Sequence, residues 1–153
     1  MKTVNPNLPK GLTEATRYFS DQRICLELVA KSRWPNGAAC PRCASKRLSF
    51  LEARLIWKCL DCKRQFSVKV GTALEDSAIP LDKWLTAMWL FSNCPNGISP
   101  HELADAVGVM RRTAWFMLRR IRHAIHTGSI NNMTGTVAAD ANSHPRVSAV
   151  YAR

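Results

Sequence analysis

The chain has 153 residues, enough for one or two small domains, and its 46% share of hydrophobic residues is typical of a globular protein. Its 22 Lys and Arg residues against 11 Asp and Glu residues give a formal net charge of +11, which favours an acidic partner such as nucleic acid. No apolar run approaches about 18 residues, and the first residues lack the apolar core of a signal peptide. We therefore expect a cytoplasmic, nucleoid-associated protein without a membrane span, in which six reduced cysteines favour metal binding over disulfides.

Residues 1–39 are predicted to form a loose arm followed by one helix. Pro6, Pro9 and Gly11 disfavour regular structure in the arm. The string "TEATRYFSDQRICLELVAKSRW" has the apolar spacing of a helix, with Ser20 as its expected N-cap. The turn sequence "WPNG" ends that helix.

Residues 40–79 contain two CxxC pairs and are predicted to form a zinc ribbon. The runs "RLSFLE", "RLIWKC" and "RQFSVKV" predict strands of a small β-hairpin that brings the two cysteine turns together. Four thiolates in a tetrahedron suit Zn²⁺, and four protein ligands leave no open position, so this ion is expected to be structural. The predicted ligands are Cys40, Cys43, Cys59 and Cys62. Two disulfides or a redox dithiol are the alternatives, although no βαβ pattern surrounds either pair.

The ribbon also carries a group of basic residues, namely Arg42, Lys46, Lys58, Lys63 and Arg64. They are expected to offset the negative charge of a four-thiolate zinc site, and phosphate binding is an equal alternative. Cys25 and Cys94 have no partner at metal-binding spacing, so both are predicted to be small buried apolar residues.

Residues 80–127 have the pattern of a helix-turn-helix module. The string "PLDKWLTAMWLFSN" predicts its first helix. In "GISPHELADAVGV", Ser99 and Glu102 form a predicted capping box, Pro100 takes the first helical position and Gly108 permits a tight turn. The basic helix "MRRTAWFMLRRIRHAIH" follows, and this order is typical of a helix-turn-helix.

The basic helix has two predicted faces. The residues expected to pack inward are Ala114, Met117, Leu118, Ile121 and Ile125. The first turn of a recognition helix reaches base edges, whereas later residues reach phosphates. The candidate DNA contacts are therefore Arg111, Arg112 and Thr113 for base edges, and Arg119 and Arg122 for phosphates. A solvated basic face on an ordinary helical hairpin is the alternative.

Two aromatic residues and four histidines have no predicted role in DNA contact. Trp115 and Phe116 lie on or near the polar face of the basic helix, and they are expected to pack against the first helix of the module or against the ribbon, in the core or at an interface, rather than to stack on bases. The histidines show no metal-ligand or catalytic spacing; they are His101, His123, His126 and His144.

Several strings together resemble the N-terminal region of bacterial insertion-sequence transposases that carry a zinc ribbon. They are "RWPNGAACPRCAS", "WKCLDCKRQFSVKVGTALEDSAIPLDKW" and "GISPHELADAVGV" followed by "TAWFMLRRIR", within residues 18–126. The resemblance implies an N-terminal helix, a zinc ribbon and a helix-turn-helix that bind terminal inverted repeats, ahead of a ribonuclease H-like domain with an Asp-Asp-Glu triad. It also implies that the four cysteines are the family's zinc ligands, and that Ala44 stands where a glycine is frequent.

Residues 128–153 resemble only the start of such a catalytic domain. In "GTVAADANSHPRVSAVYAR", Gly135, Val137 and Asp140 match the family's first catalytic strand, whereas two alanines stand where the family has glutamates. Strand transfer by this kind of enzyme needs two divalent metal ions, which one carboxylate cannot hold. We therefore expect a poorly structured stub of a truncated catalytic domain, a vestigial Asp140 and no DNA cleavage.

These patterns together predict a small α+β fold with structural Zn²⁺, double-stranded DNA as partner and no small-molecule substrate. The favoured function is sequence-specific binding of transposon terminal inverted repeats by a truncated transposase N-terminal region. One alternative is a regulatory or inhibitory partner that pairs with an intact transposase through Trp115 and Phe116, or with a second copy of itself. The other is residual transposase activity that uses Asp140.

Overall fold

The computed structural model describes residues 9–127 and confirms the predicted α+β class. In chain order, the elements of this part are α1 (Leu12–Phe19), α2 (Gln22–Arg33), β1 (Leu48–Leu51), β2 (Ile56–Cys59), β3 (Gln65–Phe66), α3 (Leu81–Asn93), α4 (Pro100–Val107) and α5 (Arg111–His126). None of these five helices has the length and apolar character that a membrane span requires. The predictions for Asp140, for His144 and for a C-terminal stub lie outside the described residues.

The N-terminal segment forms two helices where one was predicted. Ser20, the predicted N-cap, follows the last residue of α1. The N-cap of α2 is Asp21, whose carboxylate accepts a 2.8 Å hydrogen bond from the Arg23 amide. A negative charge at this position also interacts favourably with the helix N-terminus. Pro9, predicted to lie in the loose arm, is buried, and its carbonyl accepts a hydrogen bond from Trp89 Nε1 at 3.1 Å.

All three predicted strand runs contain a strand, and together they form an antiparallel sheet in the order β1-β2-β3. Phe50 pairs with Trp57, which in turn pairs with Phe66. The strand predicted to run through "RQFSVKV" stops after Phe66. It ends because Val68 is buried in the helical core and its carbonyl accepts a 2.8 Å hydrogen bond from Arg33 Nη1, which draws the chain out of the sheet.

One hydrophobic core joins the helices from both ends of the described chain. At its centre, α3 packs against α1, α2, α4 and α5, and its Trp84 is fully buried. Cys25 of α2 is also fully buried, and its Sγ donates a hydrogen bond to the Phe19 carbonyl. Burial raises the pKa of Cys25 to about 12, so its thiol stays neutral, as predicted for a small apolar residue. Cys94 is half-buried.

Residues 67–80, the connecting segment between β3 and α3, are held by helical side chains. Three donors lie on different helices: Arg33 binds the Val68 carbonyl at 2.8 Å, Trp84 Nε1 binds Ser77 Oγ at 3.0 Å, and Arg120 binds the Glu75 carbonyl at 2.7 Å. Within the segment, Lys69 Nζ donates to the carbonyls of Ser77 and Ile79. The ribbon is therefore fixed to the core that α1–α2 and α3–α5 share, while the predicted domain boundaries at 39, 79 and 127 remain predictions.

The predicted capping box of α4 is confirmed. Ser99 Oγ accepts a 3.2 Å hydrogen bond from the Glu102 amide, and the Glu102 carboxylate accepts a 2.8 Å bond from the Ser99 amide. Gly108 ends the helix with φ 66°, a left-handed backbone that costs glycine little. The buried residues of α5 are Ala114, Met117, Leu118, Ile121 and Ala124, whereas Ile125 is only half-buried. The inner face of α5 is thus close to the prediction.

Candidate metal centre and candidate nucleic-acid interface

The four predicted ligand cysteines converge on one point. Their Sγ atoms all lie within 4.8 Å of one another, with Cys40 and Cys62 at 3.6 Å and Cys43 and Cys59 at 3.5 Å. A tetrahedral site with Zn–S distances of about 2.3 Å has neighbouring sulfurs roughly 3.8 Å apart. Both the donor set and the sulfur spacing therefore fit a structural zinc ion.

The two CxxC turns share one backbone geometry. The residue after each pair, Ala44 or Lys63, has a positive φ, 56° and 60° respectively. The amide of the first cysteine in each turn donates to the carbonyl five residues further on, at 3.0 Å for Cys40 and 2.8 Å for Cys59. Glycine adopts this left-handed conformation without steric cost. This explains why a glycine is frequent, in the family that the sequence resembles, at the position of Ala44.

Backbone amides favour the thiolate form of the first cysteine in each turn. The Cys43 amide is the main cause that lowers the pKa of Cys40 to about 6, and the Cys62 amide acts in the same way on the pKa of Cys59. Because zinc binds thiolates and competes with protons for them, these amides favour metal binding at Cys40 and Cys59.

Asp61, which the sequence patterns did not single out, links the two turns. Asp61 lies between the two cysteines of the second CxxC pair. Its carboxylate accepts a 3.0 Å hydrogen bond from Arg47 Nη1 and a second hydrogen bond from the Ser45 hydroxyl. Ser45 and Arg47 both follow the first CxxC pair in the chain. The side chains of Arg47 and Asp61 are 75% and 40% exposed, so their ion pair contributes at most about 1 kcal/mol. Its main effect is to set the relative position of the two turns.

An aromatic cluster anchors the ribbon on α2. The Trp34 ring stands edge-on to the rings of Trp57 and Phe66, with centroids 5.4 Å and 6.2 Å away. Trp34 and Trp57 pack against both the helical core and the small core around Cys59. The metal site is therefore attached to the helices through packed rings.

The arginines predicted to contact DNA lie on one exposed face of α5. Arg111, Arg112, Arg119 and Arg122 are exposed, and Thr113 is half-buried. The helix carries no acidic residue, and none of its arginines forms an ion pair with an acidic side chain within residues 9–127. Among the described residues, the positive charge of this face is therefore not neutralised by a directly ion-paired carboxylate.

Trp115 and Phe116 lie on the outside of α5, so the predicted packing against the first helix or the ribbon is wrong. They are 53% and 41% exposed, because other side chains fill the inner face of α5. Their rings lie beside arginines instead, with Arg119 5.5 Å from the Trp115 centroid and Arg120 5.0 Å from the Phe116 centroid. The arginine face thus has an aromatic component.

His101 of α4 contacts the first arginine of α5. Its Nε2 lies 2.5 Å from Arg111 Nη2, and its Nδ1 lies 3.0 Å from Asp105 Oδ2. The sequence patterns gave no role to this histidine. The one signal that could have found it is the i, i+4 spacing of His101 and Asp105 on a helix.

The basic residues of the ribbon are also largely accessible. Arg42, Lys46, Lys63 and Arg64 are exposed, and Lys58 is half-buried. In the part of the chain that the structure describes, none of the five forms an ion pair with an acidic side chain. Both predicted roles, charge balance at the zinc site and phosphate binding, are compatible with this exposure.

Comparison with known proteins relates the ribbon to transposases. Residues 20–65, which include α2 and the first two strands, match the family model of a transposase zinc-ribbon domain. An uncharacterized protein in the transposable element ISH50 of Halobacterium salinarum is 28% identical over 110 residues, which cover 70% of this chain and 37% of that relative. No solved structure matches the chain. The family match and the cysteine cluster together identify residues 20–65 as a transposase-related zinc ribbon, which confirms the resemblance drawn from the sequence.

Proposed function

We propose that the chain is a DNA-binding module of an insertion sequence, in which α4 and α5 act as a helix-turn-helix. The observation that carries this proposal is the exposed arginine face of α5, whose arginines form no ion pair with an acidic side chain within residues 9–127. DNA phosphates supply the complementary charge, and the major groove admits one α-helix. The ribbon's family match and the relative's place in a transposable element support the same function.

The proposed contacts divide by their position along α5. Arg111, Arg112 and Thr113 form its first turn and are assigned to base edges, where arginine binds guanine through two hydrogen bonds. Arg119 and Arg122 lie later and are assigned to phosphates. Trp115 lies on the same exposed face, one turn after Arg111, and its ring can pack against thymine methyl groups.

The finer proposal is specificity for the terminal inverted repeats of the element. Fluorescence anisotropy of the zinc-loaded 153-residue chain on an inverted-repeat duplex and on a shuffled duplex of equal composition tests it. We expect tighter binding to the repeat, and we expect Arg111→Ala with Arg112→Ala to reduce the difference by roughly 1–3 kcal/mol per lost contact. Lys31→Ala, at an exposed ion-paired position of α2, is the matched control. Equal affinity for the two duplexes would contradict specific recognition.

The proposal is for binding without strand cleavage. Within residues 9–127, acidic, cysteine and histidine side chains that could hold a metal ion gather at the cysteine cluster, and Asp140 lies outside this range. A nicking assay with Mg²⁺ and with Mn²⁺ tests the proposal. Cleavage by the unmodified chain that Asp140→Ala abolishes would show that the enzymatic alternative is correct.

A protein partner is the second candidate function, favoured by the exposed apolar side chains at the start of α5. Met110, the N-cap of α5, is 81% exposed, and Trp115 and Phe116 in the first half of the helix are also exposed. An intact transposase or a second copy of this chain are the proposed partners. Size-exclusion chromatography with light scattering, without DNA, tests both, because Trp115→Ala is expected to dissociate such a complex while Arg119→Ala leaves it intact.

A further inference from the structure

His101 lies between an acceptor on its own helix and a donor on the next. The Asp105 carboxylate is 3.0 Å from Nδ1, and the Arg111 guanidinium is within hydrogen-bond distance of Nε2. An ionised carboxylate only accepts hydrogen bonds, and a guanidinium only donates them. Both contacts are satisfied together only when Nδ1 carries the proton and Nε2 is bare. The two neighbours therefore select one neutral tautomer of His101.

The arrangement holds Arg111 from outside its own helix. Arg111 is the first residue of α5, where an exposed side chain has considerable rotamer freedom. His101 and Asp105 lie on α4, whose first turn is stabilised by the Ser99 capping box. A hydrogen bond to the His101 imidazole therefore restrains the Arg111 side chain more than hydrogen bonds to water would. An oriented guanidinium loses less conformational entropy when it binds a base than a free one does.

We infer that His101 is a positioning residue that orients Arg111 for its DNA contact. The inference rests on the proposed function of α5. The role requires an acceptor at the position of Nε2, because the guanidinium of Arg111 can only donate.

Two other charged side chains of this region have hydrogen-bond partners of their own. Glu102 of α4 is engaged with the Ser99 amide, which lowers the pKa of its carboxyl group, and it stays an anion. Lys83 of α3 donates to the Gly108 carbonyl in the turn before α5. Asp105 and Arg111 are thus the charged partners that bind the imidazole directly.

The test is a double-mutant cycle in the zinc-loaded full chain, with an inverted-repeat duplex as the probe. At about pH 8, we expect His101→Ala to weaken binding roughly three- to tenfold, and Arg111→Ala to weaken it more. The double variant is expected to bind like Arg111→Ala alone, because His101 acts through Arg111. If Arg111→Ala has no effect, the proposed function of Arg111 fails. If Arg111→Ala weakens binding while His101→Ala does not, or if the two losses add, the positioning role is wrong.

Rescue by a conservative substitution separates positioning from a merely structural role. His101→Gln keeps a side-chain acceptor and is expected to retain most of the binding that His101→Ala loses. In an Arg111→Ala background, the two His101 variants are expected to bind alike, because the guanidinium is absent. Equal losses for His101→Gln and His101→Ala in the unmodified background would overturn the role of the acceptor.

Discussion

Arg120 of α5 donates a 2.7 Å hydrogen bond to the backbone carbonyl of Glu75, forty-five positions earlier in the chain. Its guanidinium also lies over the Phe116 ring on the same helix. Glu75 belongs to the connecting segment, which leads from the ribbon to α3. One side chain therefore ties the helix proposed to bind DNA to the chain that leaves the metal site.

Arg120→Ala is expected to lower the free energy of unfolding by about 1–2 kcal/mol, because it leaves a half-buried carbonyl without its charged donor. Urea denaturation followed by circular dichroism measures the change. Arg119→Ala is the matched control on the adjacent exposed position and is expected to change stability by less than about 0.5 kcal/mol. Equal effects of the two substitutions would show that the contact with Glu75 does not stabilise the fold.

Ala44→Gly is expected to stabilise the zinc-loaded chain by about 0.5–1 kcal/mol. Ala44 has φ 56°, a backbone conformation that strains a residue with a Cβ and costs glycine little. Ala53→Gly, in the exposed turn between β1 and β2, is the control and is expected to be neutral or destabilising, because its φ is not positive. Thermal unfolding of both variants at equal zinc saturation measures the difference. A loss of stability in Ala44→Gly would contradict the strain at this position.

One zinc ion per chain is expected, and its removal by a chelator should unfold the ribbon while zinc restores it. Metal analysis and far-ultraviolet circular dichroism measure both. Cys43→Ser removes one sulfur from the cluster and is expected to abolish tight binding. Cys94→Ser changes a half-buried cysteine outside the cluster and should bind zinc normally. Equal zinc content in the two variants would contradict the assignment of the ligands.

Acid is expected to release the zinc and destabilise the ribbon. The pKa of Cys40 is lowered from 9.0 to about 6, so its thiolate contributes stability that is fully present above pH 9.0 and is lost as the pH falls through about 6. Bound zinc competes with protons and moves this loss to lower pH. Unfolding midpoints and bound zinc of the zinc-loaded chain, measured from alkaline to acidic pH, give the profile. A zinc-loaded chain whose stability rises on acidification would contradict the sign of this dependence.

Arg119→Ala and Arg122→Ala are each expected to weaken DNA binding almost equally on specific and shuffled duplexes, because phosphate contacts carry no direct sequence information. Each is also expected to reduce the slope of log affinity against log salt by about 1. Titrations at several salt concentrations measure the slope, with the exposed α2 variant Lys31→Ala as control. An unchanged slope would mean that these side chains do not neutralise phosphates.

The local signals in the sequence were sufficient where one residue decides the structure. Ser99 is followed by proline and by Glu102, and the capping box forms as predicted. Ser20 offered a similar signal, but the neighbouring Asp21 caps α2 and a separate α1 precedes it. Serine and aspartate are about equally favourable as N-caps, so a local sequence pattern does not distinguish Ser20 from Asp21. Tertiary packing then decides which of the two caps the helix.

Contacts between distant residues could not be predicted in this way. Periodicity placed Trp115 on the polar face of α5, yet it gave no information on whether another element covers that face. The hydrogen bonds that Arg120 donates to Glu75 and that Ser45 donates to Asp61 each join segments whose relative position depends on the whole fold. The cysteine spacing, by contrast, predicted its cluster, because two short turns and a tetrahedral metal leave few other arrangements.

The position of the ribbon between α2 and α3 has a consequence for the helices themselves. The chain leaves α2 at Arg33, and the next fully buried residue of the shared core is Val68. Without metal, the residues between these two points form a long loop whose ends must be brought together. The entropy cost of closing a loop grows with its length. A metal ion bound by both Cys40 and Cys62 cross-links this loop and so reduces the number of residues that remain unconstrained in it. Zinc binding is therefore expected to favour the docking of α1 and α2 on α3 as well as the folding of the ribbon.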